Sequence, residues 1–250
     1  MIYDPLYFTI AALAMIFSGI SKAGFGAGAG FAGASLLAIV LDPALALGIT
    51  LPLYMLVDAV TLKPYWRRWD WAAARLVILG GIPGVALGAW LYQLVNADVI
   101  RILIGSISLL FVVWQCMRWA GLLSVEHKHF GPVAGLIAGC ASGFTSFISH
   151  AGGPPFAVYM LSQGVSKTTY QATSVICFWA INILKFVPYA MLGIFSWESF
   201  QADLFLFPFI LIGAWLGVKA HFLIPERPFF VLTYAMLICT GTELIWDGVM

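Results

Sequence analysis

The chain has 250 residues, of which 62% are hydrophobic and only 9% charged, 12 Lys or Arg against 11 Asp or Glu. An average soluble domain carries roughly 25% charged residues, and a soluble surface this poor in charge would aggregate. A mean hydropathy of +0.98 and a net charge of +1 therefore describe an all-α integral membrane protein. They offer no electrostatic partner such as nucleic acid, and they leave no polar stretch long enough for an appended soluble enzyme.

A spanning helix takes about 20 apolar residues. Apolar segments run at 5–21, 24–41, 43–64, 72–94, 99–118, 130–147, 153–164, 168–192, 200–222 and 229–246. They are long and rich in Leu and Ala, unlike the short alternating strands of an outer-membrane barrel. The start, MIYDPLYF, has no positively charged leader region, so the first segment is expected to stay. Segment 24–41 opens with GFGAGAGFAG, a poor straight helix on propensity. Segment 153–164 is too short to span and begins GPP. Either could cross or re-enter, which leaves about 8–10 transmembrane segments.

Cys116, Cys140, Cys177 and Cys239 lie in separate apolar stretches and are expected to pack in the core. Tyr65-Trp66-Arg67-Arg68-Trp69-Asp70-Trp71 is expected to form an interfacial belt with its basic flank. Glu126-His127-Lys128-His129 reads as a solvated connector. GFGAGAG lacks the GK[ST] of a phosphate-binding loop, and no strand precedes it.

Placing the N-terminus outside and alternating sides collects ten of the twelve Lys and Arg residues inside. These are Lys22, Lys63, Arg67, Arg68, Arg75, Arg118, Lys128, Lys167, Lys219 and Arg227. Only Arg101 and Lys185 remain, while Asp4, Asp42, Asp98, Glu198, Asp203, Glu243 and Asp247 fall outside. The positive-inside rule then sets both termini on the periplasmic side. The assignment holds whether the Gly-rich segments span or return as hairpins.

Sliding the chain by 124 residues sets Ser18-Gly19 on Ser142-Gly143, Ala27-Gly28 on Ala151-Gly152 and Pro64-Tyr65 on Pro188-Tyr189. Seven identities in 48 positions are weak alone, but Gly84-xxx-Gly88 also has a counterpart in Gly213-xxx-Gly217. The segment rhythm repeats as well. Residues 1–121 and 130–250 thus read as two five-segment repeats in one membrane domain. An odd number of segments inverts the second, the architecture of many secondary transporters.

Each repeat has a Gly-rich break, Ser18 to Gly28 and Ser142 to Pro155. Broken helices survive at membrane depth only against protein or a water-filled cavity. Helix N-termini there, at Gly26–Gly28 and Gly152–Gly153, favour an anion. Lys22, Ser21, Thr145, Ser146, Ser149 and His150 sit in or beside those breaks. Lys22 could equally be an anchor at the membrane surface, and His150 a satisfied buried histidine. On the third segment, Asp58 and Thr61 correspond to Asn182 and Lys185, each pair on one helix face. A charge in mid-membrane costs roughly 2.5–3.5 kcal/mol, so Lys185 is expected to bind or gate an anion. Asp58 is a candidate for ion pairing or proton coupling, with Thr61 beside it.

The motifs G-I-S-K-A-G-F-G-A-G (Gly19–Gly28), S-H-A-G-G-P-P-F-A-V-Y-M-L-S-Q-G (Ser149–Gly164) and N-I-L-K-F-V-P-Y (Asn182–Tyr189) together resemble the sulfite exporter TauE/SafE family over essentially the whole chain. Ala27 and Ala29 stand where many members have a longer glycine run. The resemblance implies a bacterial inner-membrane permease moving sulfite, sulfonates such as sulfoacetate, or related sulfur oxyanions outward.

The expectation is a secondary transporter with no cofactor, no catalytic residue and no metal, whose partners are a small anion and the lipid. Lys22, Ser21, Gly26, Gly28, Ser146, Ser149, His150, Gly152, Gly153, Asn182 and Lys185 would bind the anion; Asp58 and Thr61 would couple or gate. A passive anion channel could use the same residues. An intramembrane hydrolase would need a Ser–His pair, which neighbours such as Ser149 and His150 do not form on a helix. The sequence does not fix the oligomeric state.

Overall fold

The computed structural model describes residues 5–26, 31–122, 129–223 and 227–250. The helices are α1 (Pro5–Ile20), α2 (Ala32–Val40), α3 (Pro43–Leu62), α4 (Trp71–Leu94), α5 (Ala97–Trp119), α6 (Pro132–Ser149), α7 (Gly153–Ser162), α8 (Lys167–Met191), α9 (Trp197–Leu223) and α10 (Arg227–Val249). Among the described residues there is no strand, and seven helices, or helix runs, are long and apolar enough to cross a membrane. Large apolar side chains such as Leu79, Trp90, Ile137 and Trp215 face outward, as lipid contact requires.

Polar caps set several helix starts. Asp42, Asp70, Asn96 and Ser166 each accept a hydrogen bond from a first-turn backbone N–H, satisfying donors the helix itself cannot. These caps explain why α4, α5 and α8 begin one or two residues before the apolar runs do. The main departure is at 24–41. α1 continues through a π-helical turn, Ser21–Phe25, and Gly26 then breaks it at φ 80°. No helix starts at Gly26: α2 begins at Ala32, and Gly28 lies outside the described residues. Glycines at 24, 26 and 28 disfavour helix throughout that stretch.

Both Gly-rich breaks are tips of hairpins. α7 has 10 residues, about 15 Å, half of a hydrocarbon core near 30 Å. Its last carbonyl, Ser162 O, accepts from the His129 N–H at the start of α6 (3.1 Å). α7 therefore returns to the face where α6 began. α2, with 9 residues, likewise runs back along α1: Gly33 packs on Ser18 and Ala14, and Leu37 and Leu41 lie beside Phe8 and Ala11.

α3 and α8 run antiparallel through the centre. Gly48, early in α3, meets Ile194 beyond the end of α8, while Asp70, beyond the end of α3, bonds Thr173 near the start of α8 (2.9 Å). Each hairpin's long arm lies on a parallel helix from the other half of the chain. A Cβ on Gly213 or Gly217 of α9 would strike Ile16 or Ile20 of α1; one on Gly84 of α4 would strike Cys140 of α6. Ile16 and Cys140 are themselves 124 residues apart.

Two expectations need correcting. Tyr65 is fully buried, its hydroxyl bonded to Ala23 O at 2.8 Å, so it leaves the interfacial belt that Trp66 and Trp71 keep. Cys177 is buried but Cys116 and Cys239 are exposed, on helix faces open to lipid.

Gly84→Ala and Gly213→Ala push a methyl into backbone, and each should cost about 1–3 kcal/mol. Gly131→Ala, with nothing within 4 Å of its Cβ, should stay within about 0.5 kcal/mol. Thermal unfolding in detergent distinguishes them.

Candidate functional site

The site forms where α3 and α8 cross. Asn182 Nδ2 donates to Asp58 Oδ2 at 2.8 Å, so two residues 124 positions apart meet face to face. Asp58 Oδ1 takes an ion pair from Lys22, carried inward on the π turn. A π turn leaves carbonyls without their usual intrahelical donors. Gln171 Nε2 donates to Lys22 O and Ala23 O (2.9 and 3.0 Å), and His221 Nδ1 to Gly24 O (2.8 Å). The first hairpin tip is thus held by side chains from α8 and α9.

The second tip is built differently. His150 ends α6 in a left-handed conformation, φ 57°, at the position corresponding to Gly26. Lys185 is completely buried. Its Nζ donates to Ser146 O (3.0 Å) and Ser146 Oγ (3.1 Å) and lies 2.9 Å from His150 Nδ1. Tyr189 OH donates to Phe147 O at 2.6 Å, repeating the Tyr65–Ala23 bond 124 residues later. The ion pairs among the described residues are Lys22–Asp58 and Arg101–Asp98. Among the described residues, Lys185 has no carboxylate within 4 Å.

Between the tips lies a small cavity of about 20 Å³, open at its mouth. Its polar wall is Lys22, Asp58, Ser146, His150, Ser174 and Asn182; Tyr54, Val175 and Phe178 form the apolar wall. Lys22 is paired with Asp58, and Lys185 lies behind the wall, bonded to its Ser146. Such a site suits an anion, since a buried charge needs a partner.

Of the expected residues, Lys22, Asp58, Ser146, His150 and Asn182 line the cavity, and Lys185 stands one hydrogen bond behind it. Gly152 packs on Phe178 and Ser146, close by. Gly153 opens α7, but Pro154 and Pro155 follow. That helix end therefore presents fewer N–H donors than its position promises. Gly26 packs instead on Tyr170 and Gln171. Ser149 and Thr61 turn their hydroxyls to backbone carbonyls of their own helices, Thr145 O (3.0 Å) and Val57 O (2.7 Å). Ser21 is buried away from the lining.

Tyr54 and Phe178 escaped the sequence reading. They lie 124 residues apart, each one turn before Asp58 or Asn182, so the repeat offset combined with helical spacing would have found them. Tyr54 OH donates to Ser18 Oγ (3.2 Å) and its ring edges His150, centroids 5.0 Å apart.

Asp58→Asn strands the Lys22 charge and should destabilise the protein by about 3–5 kcal/mol. Lys22→Met with Asp58→Asn should recover most of that loss. Thermal unfolding of both variants in detergent checks it.

No curated protein and no solved structure matches the chain. A family model described as Sulfite exporter TauE/SafE matches residues 11–244. That covers both hairpin tips, the crossing helices and every residue of the cavity. The chain belongs to the sulfite exporter TauE/SafE family, multi-pass membrane transporters of sulfite-like anions.

Proposed function

We propose that this protein carries a small sulfur oxyanion, sulfite or a sulfonate such as sulfoacetate, out across the bacterial inner membrane, and that the central cavity is its site. The observation that carries this reading is Lys185, buried in a membrane protein and, among the described residues, hydrogen-bonded to neutral groups alone. A bound anion supplies the missing counter-charge. Ser146, Ser174 and Asn182 offer polar contacts, while Val175 and Phe178 suit the carbon of a sulfonate.

The two halves act as an inverted repeat. In support stand the opposed hairpins, the antiparallel α3 and α8, and the recurrence of the tyrosine–tip bond at an interval of 42 residues in both halves. Exchanging the packing of the two hairpins would expose the cavity alternately to either face. The N- and C-termini lie on the periplasmic side, following the lysine and arginine distribution. Asp58 exchanges a proton when Lys22 leaves it, giving a route for proton coupling.

Solid-supported-membrane electrophysiology of proteoliposomes tests this with sulfite, sulfate, thiosulfate, sulfoacetate, isethionate and acetate, with and without a pH gradient. A transient, saturable current for a sulfur oxyanion is expected, and Lys185→Met should abolish it without lowering expression. A current unchanged in that variant would remove Lys185 from the site, and a sustained, non-saturating one would indicate a channel.

A further inference from the structure

We propose that Lys185 does not touch the anion: it holds His150 in one tautomer, and the His150 Nε2–H is the donor that binds the anion. This deepens the anion-site reading and rests on it.

An ammonium has three N–H groups and no acceptor. Those of Lys185 meet three acceptors, Ser146 O, Ser146 Oγ and His150 Nδ1, at 3.0, 3.1 and 2.9 Å. No N–H remains for a ligand. A charged Lys185 can only donate, so His150 Nδ1 accepts from it, and a neutral imidazole then carries its proton on Nε2. His150 is only 7% exposed, lines the cavity, and its Nε2 completes no hydrogen bond of good geometry among the described residues, with the Leu47 backbone close to the ring. A buried donor left unmade is costly unless a ligand completes it.

The ring is also held in place. Tyr54 and Tyr189 edge it at centroid distances of 5.0 and 6.3 Å. Its backbone sits at φ 57°, where the first half has Gly26. Lys185 is thus a positioning residue whose charge reaches the anion along the imidazole. The lysine's counterpart is Thr61 and the histidine's is Gly26, so the first half contains no second relay.

Two substitutions separate the functions of the two ring nitrogens. His150→Asn keeps an acceptor near Nδ1 for Lys185 and suits the left-handed backbone, but its side chain ends short of Nε2. His150→Gln brings an amide N–H to the Nε2 position on a backbone it fits less well. Folding alone ranks Asn as the milder change; the proposal ranks Gln milder for the anion. Equilibrium binding of sulfite and methanesulfonate to the purified full chain is measured beside thermal unfolding.

His150→Asn should unfold close to wild type yet bind at least about tenfold more weakly, the loss of one hydrogen bond to a charged group. His150→Gln should hold affinity within about threefold. Adding Lys185→Gln to His150→Asn should cost little more, because its route is already cut. Wild-type affinity in His150→Asn, equal losses in both single variants, or additive loss in the double variant overturns the proposal and leaves the anion site standing. Absence of anion binding by the wild type overturns both.

Discussion

The contact between Asp58 and Asn182 is the fixed point of this molecule. It joins the two central helices, and through Asp58 it reaches Lys22 on the first hairpin tip. Asp58 has two oxygens, and Asn182 and Lys22 each take one. The carboxylate therefore fixes how α8 lies on α3 and how far the first hairpin reaches inward. In lipid every such group must find its partner within the protein. One buried carboxylate thus sets the spacing of three elements at once.

Close approach of the hairpins depends on the glycine seams. Gly213 and Gly217 let α1 rest on the backbone of α9, and Gly80, Gly84 and Gly88 do the same for α6 on α4. Small residues are the usual means of bringing membrane helices together, since lipid offers no hydrophobic drive. Here their consequence is local: each hairpin tip is delivered to the centre from an opposite direction. The tips then differ in chemistry. The first brings a lysine already paired with an acid. The second brings the serine and histidine that receive an unpaired lysine. The two tips thereby enclose a site whose two sides differ in chemistry.

Much of this was legible in the residues. Lys185 lay too deep in its apolar run to reach either surface, and it is fully buried. The offset of 124 matched Asp58 with Asn182, although a match of positions says nothing of contact; only the crossing of α3 and α8 brings them together. Lys22 was ambiguous between surface anchor and interior because its depth depends on whether α1 and α2 form a hairpin, a tertiary property. The GFGAGAG stretch misled in a definite way: its glycines argued for a break but could not tell which residue begins the next helix. Tyr65 was masked by the tryptophans and arginines around it, which do belong at an interface. Its burial follows from the carbonyls of the π turn, and no periodicity announces those. Pro154 and Pro155 marked a helix start correctly, but they also remove N–H donors from the end they mark.

The most direct measurement is an experimental structure of the protein equilibrated with selenite, the heavier analogue of sulfite, with the selenium located by anomalous scattering. Expected is a single selenium peak in the cavity between the hairpin tips, an oxygen within hydrogen-bond distance of His150 Nε2, and Lys185 still bonded to Ser146. A cavity empty at saturating selenite, or a peak only at the protein surface, would contradict the assignment of this cavity as the anion site.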